Sequence, residues 1–238
     1  MDDSTAEVNS TVLAPRRPQD FNDIRKEWAS SLLDRRHRFT FTWLYETPWF
    51  SRDSNRFKRH VLGGYQIGGT YTVESPQWVT PQSGIDANQN GDAPTDRVIV
   101  NSAGTPGTSS DVTALRNSAG ATVAYLANNP NAQFIRAQAG AYANSGRNII
   151  PSRGINNWDF NIVKNISISE RTKLQLRGDF WNGFNHSQYT PGQVNTINNT
   201  SRANTTSYLT PGNPVFGQFD QVWSNNSRAI QLAARLTF

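Results

Sequence analysis

Five stretches of this chain alternate apolar and polar residues with a period of two, the pattern of strands with an apolar medium on one side and water on the other. Arg38 to Thr47 sets Phe39, Phe41, Trp43 and Tyr45 against Arg38, Thr40, Thr42 and Glu46. Leu62 to Ser75 sets Tyr65, Ile67, Gly69, Tyr71 and Val73 against Gln66, Gly68, Thr70, Thr72 and Glu74. Trp158 to Ile168 sets Trp158, Phe160, Ile162 and Ile166 against Asp159, Asn161, Asn165 and Ser167, with Lys164 interrupting the apolar side. A lysine there either snorkels or marks a bulge. Thr172 to Phe184 sets Leu174, Leu176, Gly178 and Phe180 against Lys173, Gln175, Arg177 and Asp179. In Ser227 to Phe238, Ile230, Leu232, Ala234, Leu236 and Phe238 oppose Gln231, Ala233, Arg235 and Thr237. Each stretch has roughly the ten residues that a tilted membrane-spanning strand needs.

The connections alternate in length. Ser169-Glu170-Arg171 is short and Pro48 to Leu62 moderate, whereas Pro76 to Asn157 and His186 to Asn226 are long and rich in Gly, Pro, Asn, Ser and Thr. If Phe238 ends at the periplasm, both shorter connections fall on that side and both long ones outside, the asymmetry of outer-membrane barrels. The expected fold is therefore all-β: an antiparallel transmembrane barrel portion of about five strands with long extracellular loops. Asp20 to Ser31 reads as a short helix or the tail of a preceding loop, and Ala114 to Gln138 as Ala-rich sequence with a loop helix. The chain divides into a polar N-terminal segment, 1–33, and the strands and loops of 34–238.

Composition fits a barrel better than an ordinary core. Hydrophobic residues are 36% while aromatics reach 11%, with 7 Trp, 7 Tyr and 12 Phe, a balance suited to polar loops and aromatic girdles. Trp49 and Phe50 fall near the inner strand ends, and Trp78, Trp158 and Trp223 near the outer ones. No apolar run is long enough for a transmembrane helix. Cysteine is absent, which removes disulfides and thiolate metal sites. Met1 is followed by Asp2, Asp3, Ser4 and Thr5, with neither a basic nor an apolar export region, so a barrel reading expects the chain to be missing its beginning. The net charge of +5 is spread along the chain rather than gathered in a patch, which speaks against nucleic acid.

The terminal pattern Gln231, Ala233, Leu236 and Phe238 resembles the signal read by the barrel-assembly machinery. A wider resemblance, to the carboxy-terminal part of Oar-like TonB-dependent transporters, is carried by Asp34-Arg35-Arg36-His37-Arg38-Phe39, Tyr45-Glu46-Thr47-Pro48, Leu62-Gly63-Gly64-Tyr65-Gln66-Ile67 and Gly146-Arg147-Asn148. It continues through Gly154-Ile155-Asn156-Asn157-Trp158-Asp159, Lys164-Asn165, Leu174 to His186, Phe216-Gly217-Gln218 and Arg228 to Phe238. It covers Asp34 to Phe238, loosely between Gln77 and Ser145. Ser75-Pro76-Gln77-Trp78 stands where relatives commonly carry Ser-Gly, and Ala233 where Gly is usual. The resemblance implies a bacterial outer-membrane location, a complete barrel of roughly 22 strands, and a plug and TonB-interacting segment absent here. Its implied partners are outer-membrane lipid, the barrel-assembly machinery, the TonB system through the missing N-terminal part, and an unknown solute. Two rivals share the strand pattern: an outer-membrane adhesion or surface-structural barrel, and a soluble carbohydrate-binding β-sandwich.

Catalytic chemistry finds little support. His37, His60 and His186 are far apart, and neither Gly-x-Ser-x-Gly nor His-Glu-x-x-His occurs, so the expectation is no enzyme. One loop has a cation-like spacing: Asp86, Asn88, Asn90 and Asp92 alternate before and after Gly91, as in loops that wrap calcium. Position twelve is Arg97, with Asp96 one residue early, and the same spacing describes a solvated Asx-rich turn. No other cofactor is expected.

Overall fold

A computed structural model describes residues 18–31, 34–50, 53–91, 96–188, 208–218 and 227–238. Among these, the strands in chain order are β1 (Arg38–Glu46), β2 (Tyr65–Glu74), β3 (Trp78–Val79), β4 (Ile99–Val100), β5 (Thr105–Ser110) and β6 (Val112–Arg116). They continue with β7 (Thr122–Ala127), β8 (Ala132–Ile135), β9 (Ile150–Pro151), β10 (Ile155–Ser167), β11 (Lys173–Trp181) and β12 (Ala229–Thr237). A single short helix, α1 (Arg56–Leu62), and a 3-10 turn at Ile24–Glu27 complete the described elements. The chain forms two compact units, one of Arg36–Ser75, Gly154–Gln188 and Asn225–Phe238, the other of Met1–Arg35, Pro76–Arg153 and Tyr189–Ser224.

The first unit is one antiparallel sheet of order β1-β2-β10-β11-β12, with the five alternating stretches as its five strands. Its register keeps each parity intact from edge to edge. Trp43 lies opposite Gly69, Gly69 opposite Phe160, Phe160 opposite Phe180, and Phe180 opposite Ile230. One side therefore collects the apolar residues of all five strands, because side chains alternate along each strand and register carries that alternation across. The other side collects Thr, Asn, Gln and the charged residues, with Leu44, Ile155, Val163 and Trp181 as its larger apolar exceptions. The sheet is open, β1 and β12 each having one neighbour among the described strands.

Three boundaries differ from the sequence expectation, one of them at β10, which begins at Ile155, three residues before Trp158. Leu62 does not begin β2 but ends α1, whose first turn is capped by the Asn55 side chain accepting from the amides of Phe57 and Lys58. Gly63 and Gly64 then turn the chain, Gly64 with a φ of 72° and a position where a Cβ would lie 2.5 Å from the Asn165 carbonyl oxygen. At the other end, β11 stops at Trp181 because Asn182 takes a φ of 47° and its side-chain oxygen accepts the His186 amide at 2.8 Å. Between β10 and β11 the Ile168 and Ser169 amides both donate to the Thr172 carbonyl, at 3.0 and 3.1 Å, closing a tight turn.

The second unit holds three small sheets, β3-β9, β4-β8-β5 and β6-β7. Nearly all the buried aliphatic and aromatic side chains belong here, including Val79, Val98, Phe134 and Leu209. A buried ionic knot supports them: the Arg97 guanidinium reaches both carboxylate oxygens of Glu27 at 2.9 and 3.2 Å, and Arg147 approaches Glu27 at 3.7 Å. Burial pushes the Arg97 pKa down from its ordinary value, and Glu27 opposes that shift. The loop helix expected within Ala114 to Gln138 is replaced by strands. Val112–Arg116 and Thr122–Ala127 form a hairpin around Asn117, whose side-chain oxygen accepts the Ala119 and Ala121 amides while Gly120 adopts a φ of 82°.

Candidate functional site

On the apolar side of the sheet, side chains that a soluble protein would bury stand open. Leu232 is 79% exposed and Phe41 51%, and of the sheet's hydrophobic residues Val163 alone, on the opposite side, is fully buried. A contiguous apolar strip of this extent marks a surface that meets lipid or a partner. Its aromatic rings occupy every apolar-side position of β1 and cluster elsewhere on the sheet. At the end where β11 runs into the long connection, Tyr71 stacks on Trp158 at 4.2 Å, Phe160 on Phe180 at 4.8 Å, and Phe184 meets both Trp158 and Phe160. At the opposite end Tyr45 contacts Trp49 edge-on at 6.2 Å. Aromatic residues near both ends of the apolar side fit the interfacial rings of a spanning barrel, with Phe41 and Trp43 of β1 between them. Trp78 stands apart in the second unit, paired with Pro151, and Trp223 lies outside the described residues.

Lys164, the one cation on this apolar side, makes no bulge in the β10 register. Its ammonium donates to the carbonyls of Val61, at 3.1 Å, and Gly63, and lies over the Tyr65 ring at 4.1 Å. The charge is thus carried to the open carbonyls at the end of α1 instead of facing lipid, the snorkelling alternative in a specific form.

The polar side carries the sheet's hydrogen-bonding and charged groups. Its cross-strand neighbours are matched in chemistry as well as register: Arg38 with Glu74 at 3.1 Å, Thr42 with Thr70 at 3.2 Å, Glu46 with Gln66 at 3.2 Å and Asn165 with Gln175 at 2.9 Å. Midway along, a concavity of about 400 Å³ opens over β2 at Gly68, where a Cβ would meet Leu44 and Asn161. Thr42, Thr70, Asp159, Asn161, Arg177, Asp179 and Trp181 line it. The Arg177 fork is held against one oxygen of Asp179, at 2.9 and 2.8 Å, and Asp159 accepts the Asn182 amide at 2.8 Å. These groups offer both charges, amide donors and an indole face to a polar ligand. Alternation places Asp159, Arg177 and Asp179 on this wall, but Trp181 and the hollow itself escaped sequence reading. Gly68 within a strand was the available signal.

The Asx-rich loop is held together by its own side chains. Asp86 accepts the Asn90 and Gly91 amides at 2.9 and 2.8 Å, and Asp96 accepts those of Ala87 and, at 2.9 Å, Asn88. Asn88 and Asn90 both donate to the Gln19 carbonyl. Asp92 lies outside the described residues, and among those described no group of three carboxylate, imidazole or thiol side chains is placed to hold a metal. The described hydrogen bonds close the turn with its own side chains.

Of the terminal quartet, Gln231 and Ala233 face the polar side opposite Asp179 and Arg177, Leu236 faces the apolar side opposite Leu174, and Phe238 follows the strand almost fully exposed. No curated protein and no solved structure matches the chain. A family model described as an outer membrane beta barrel domain matches residues 1–231, and with its two-faced sheet this chain belongs to that family of the bacterial outer membrane.

Proposed function

We propose that the chain is the carboxy-terminal barrel segment of a TonB-dependent outer-membrane transporter, supplying barrel wall, extracellular loops and an assembly signal. The observation that supports this reading is the polar hollow lined by Thr42, Thr70, Asp159, Asn161, Arg177 and Asp179, a ligand-sized recess on the side opposite the lipid-facing strip. In the whole barrel, solute would pass along this wall after the TonB system, energised from the inner membrane, displaces a plug. Gln231, Ala233, Leu236 and Phe238 would present the strand end to the assembly machinery. Loss of the gene carrying this sequence, and separately of the energy-transducing TonB system, should abolish the same growth advantage on a scarce solute. Uptake that persists unchanged without TonB would sink the transport reading.

A second reading, surface adhesion, is favoured by the long connections: they fold into a unit with its own buried side chains rather than lying as plain loops. Cell attachment to extracellular matrix that survives loss of TonB and requires Pro76 to Arg153 would support it.

A further inference from the structure

The connection between β1 and β2 is more than a turn. From Pro48 to Gly64 it carries Arg52, Arg56, Lys58 and Arg59 against a single acid, Asp53. Arg56, Lys58 and Arg59 are exposed, and among the described residues none of the three forms an ion pair. Beside them Trp49 and Phe57 are 61% and 71% exposed. On α1, Phe57 and Val61 are four residues apart and share one side, while Arg56, Arg59 and His60 share the other.

This segment is continuous with the lipid-facing strip. Trp49 extends it through its contact with Tyr45, and Lys164, rooted in the same side of β10, ties down the end of α1. Rings at the edge of an apolar strip and unpaired cations just beyond it are arranged as a headgroup layer is, acyl chains on one side and phosphates on the other. We propose that this connection is a binding site for anionic glycerophospholipid, with Trp49 and Phe57 in the acyl boundary and Arg56, Lys58 and Arg59 on headgroup phosphate. The inference rests on the membrane placement of the sheet and is independent of transport.

The test uses the full chain in mixed micelles of an uncharged detergent with brominated phosphatidylglycerol or brominated phosphatidylcholine. Trp49 quenching is read as the difference between the chain and its Trp49→Phe variant. Each surface cation contributes roughly fivefold at low salt, so half-quenching should need at least about fivefold less phosphatidylglycerol than phosphatidylcholine. Salt should erode that preference, and the Arg56→Gln/Lys58→Gln/Arg59→Gln variant should abolish it, while Arg56→Lys/Arg59→Lys retains it. Equal quenching by the two lipids in the unsubstituted chain overturns the proposal. Displacement by inorganic phosphate at matched concentration also overturns it, since a free-anion site would then explain the cations.

Discussion

Glu27 shows how much a single side chain can hold. It faces two guanidinium groups, Arg97 and Arg147, inside the second unit, and both it and Arg97 are almost wholly enclosed. Removing one partner of a buried pair leaves the other charge without compensation, so Glu27→Gln should destabilise this unit by about 3–5 kcal/mol. Hydrogen exchange over residues 96–153 in the full chain reads the effect; unchanged protection there would show that Arg97 is satisfied without the carboxylate. Phe238 poses the opposite case, a large side chain that touches little. If it completes an assembly signal, its deletion should lower outer-membrane abundance of the parent protein more than Phe180→Ala does, although Phe180 is the one stacked against a neighbour. Equal losses from the two changes would reduce Phe238 to one interfacial ring among several.

Elements were legible in the sequence to the degree that they separate two media. All five spanning strands appear near their expected positions, because lipid on one side and water on the other impose a period of two that no helix reproduces. The small strands of the second unit have no such constraint. Ala114, Ala124 and Ala127 gave a helical impression by intrinsic propensity, and the turn chemistry of Asn117 to Gly120 overrode it. Two-residue strands such as β3 and β9 carry no periodic signal, and the Glu27–Arg97 pairing spans 70 residues, beyond any local pattern. Polar-wall residues were half visible: alternation assigned their side but not the recess they line. The link from α1 to β2 is also testable. Gly64→Ala puts a methyl group against the Asn165 carbonyl in a left-handed backbone and should cost about 1–3 kcal/mol, read as a lower unfolding midpoint in detergent. An unchanged midpoint would mean that the connection shifts freely relative to β10.

The whole molecule is a sheet with its apolar side outward and a unit with its apolar side inward, encoded in one chain. Adjacent residues of β10 give a direct measure of that contrast. Ile162→Arg sets a cation on the lipid side mid-strand and should cost roughly 2–4 kcal/mol of membrane stability, whereas Asn161→Arg, one residue earlier on the wet side, should cost little. Similar losses from both in a bilayer unfolding titration would contradict the lipid assignment. The second unit also has a temporal consequence. Its parts come from three separated lengths of chain, and the last described length, 208–218, is built into its interior: Leu209 is fully buried, its carbonyl accepts the Gln82 amide at 3.0 Å, and Gly212 packs against Asp111 with no room for a Cβ. A chain emerging from its amino end has already released β10 and β11 when this closing piece arrives. Phe134, which meets Phe216, is therefore completed by a segment that follows the strands between them, and closing so long an intervening loop costs conformational entropy. Interdependence is thus written into the connectivity: the unit folded from the long connections is closed by a piece that lies between β11 and β12, so neither unit is a continuous length of chain.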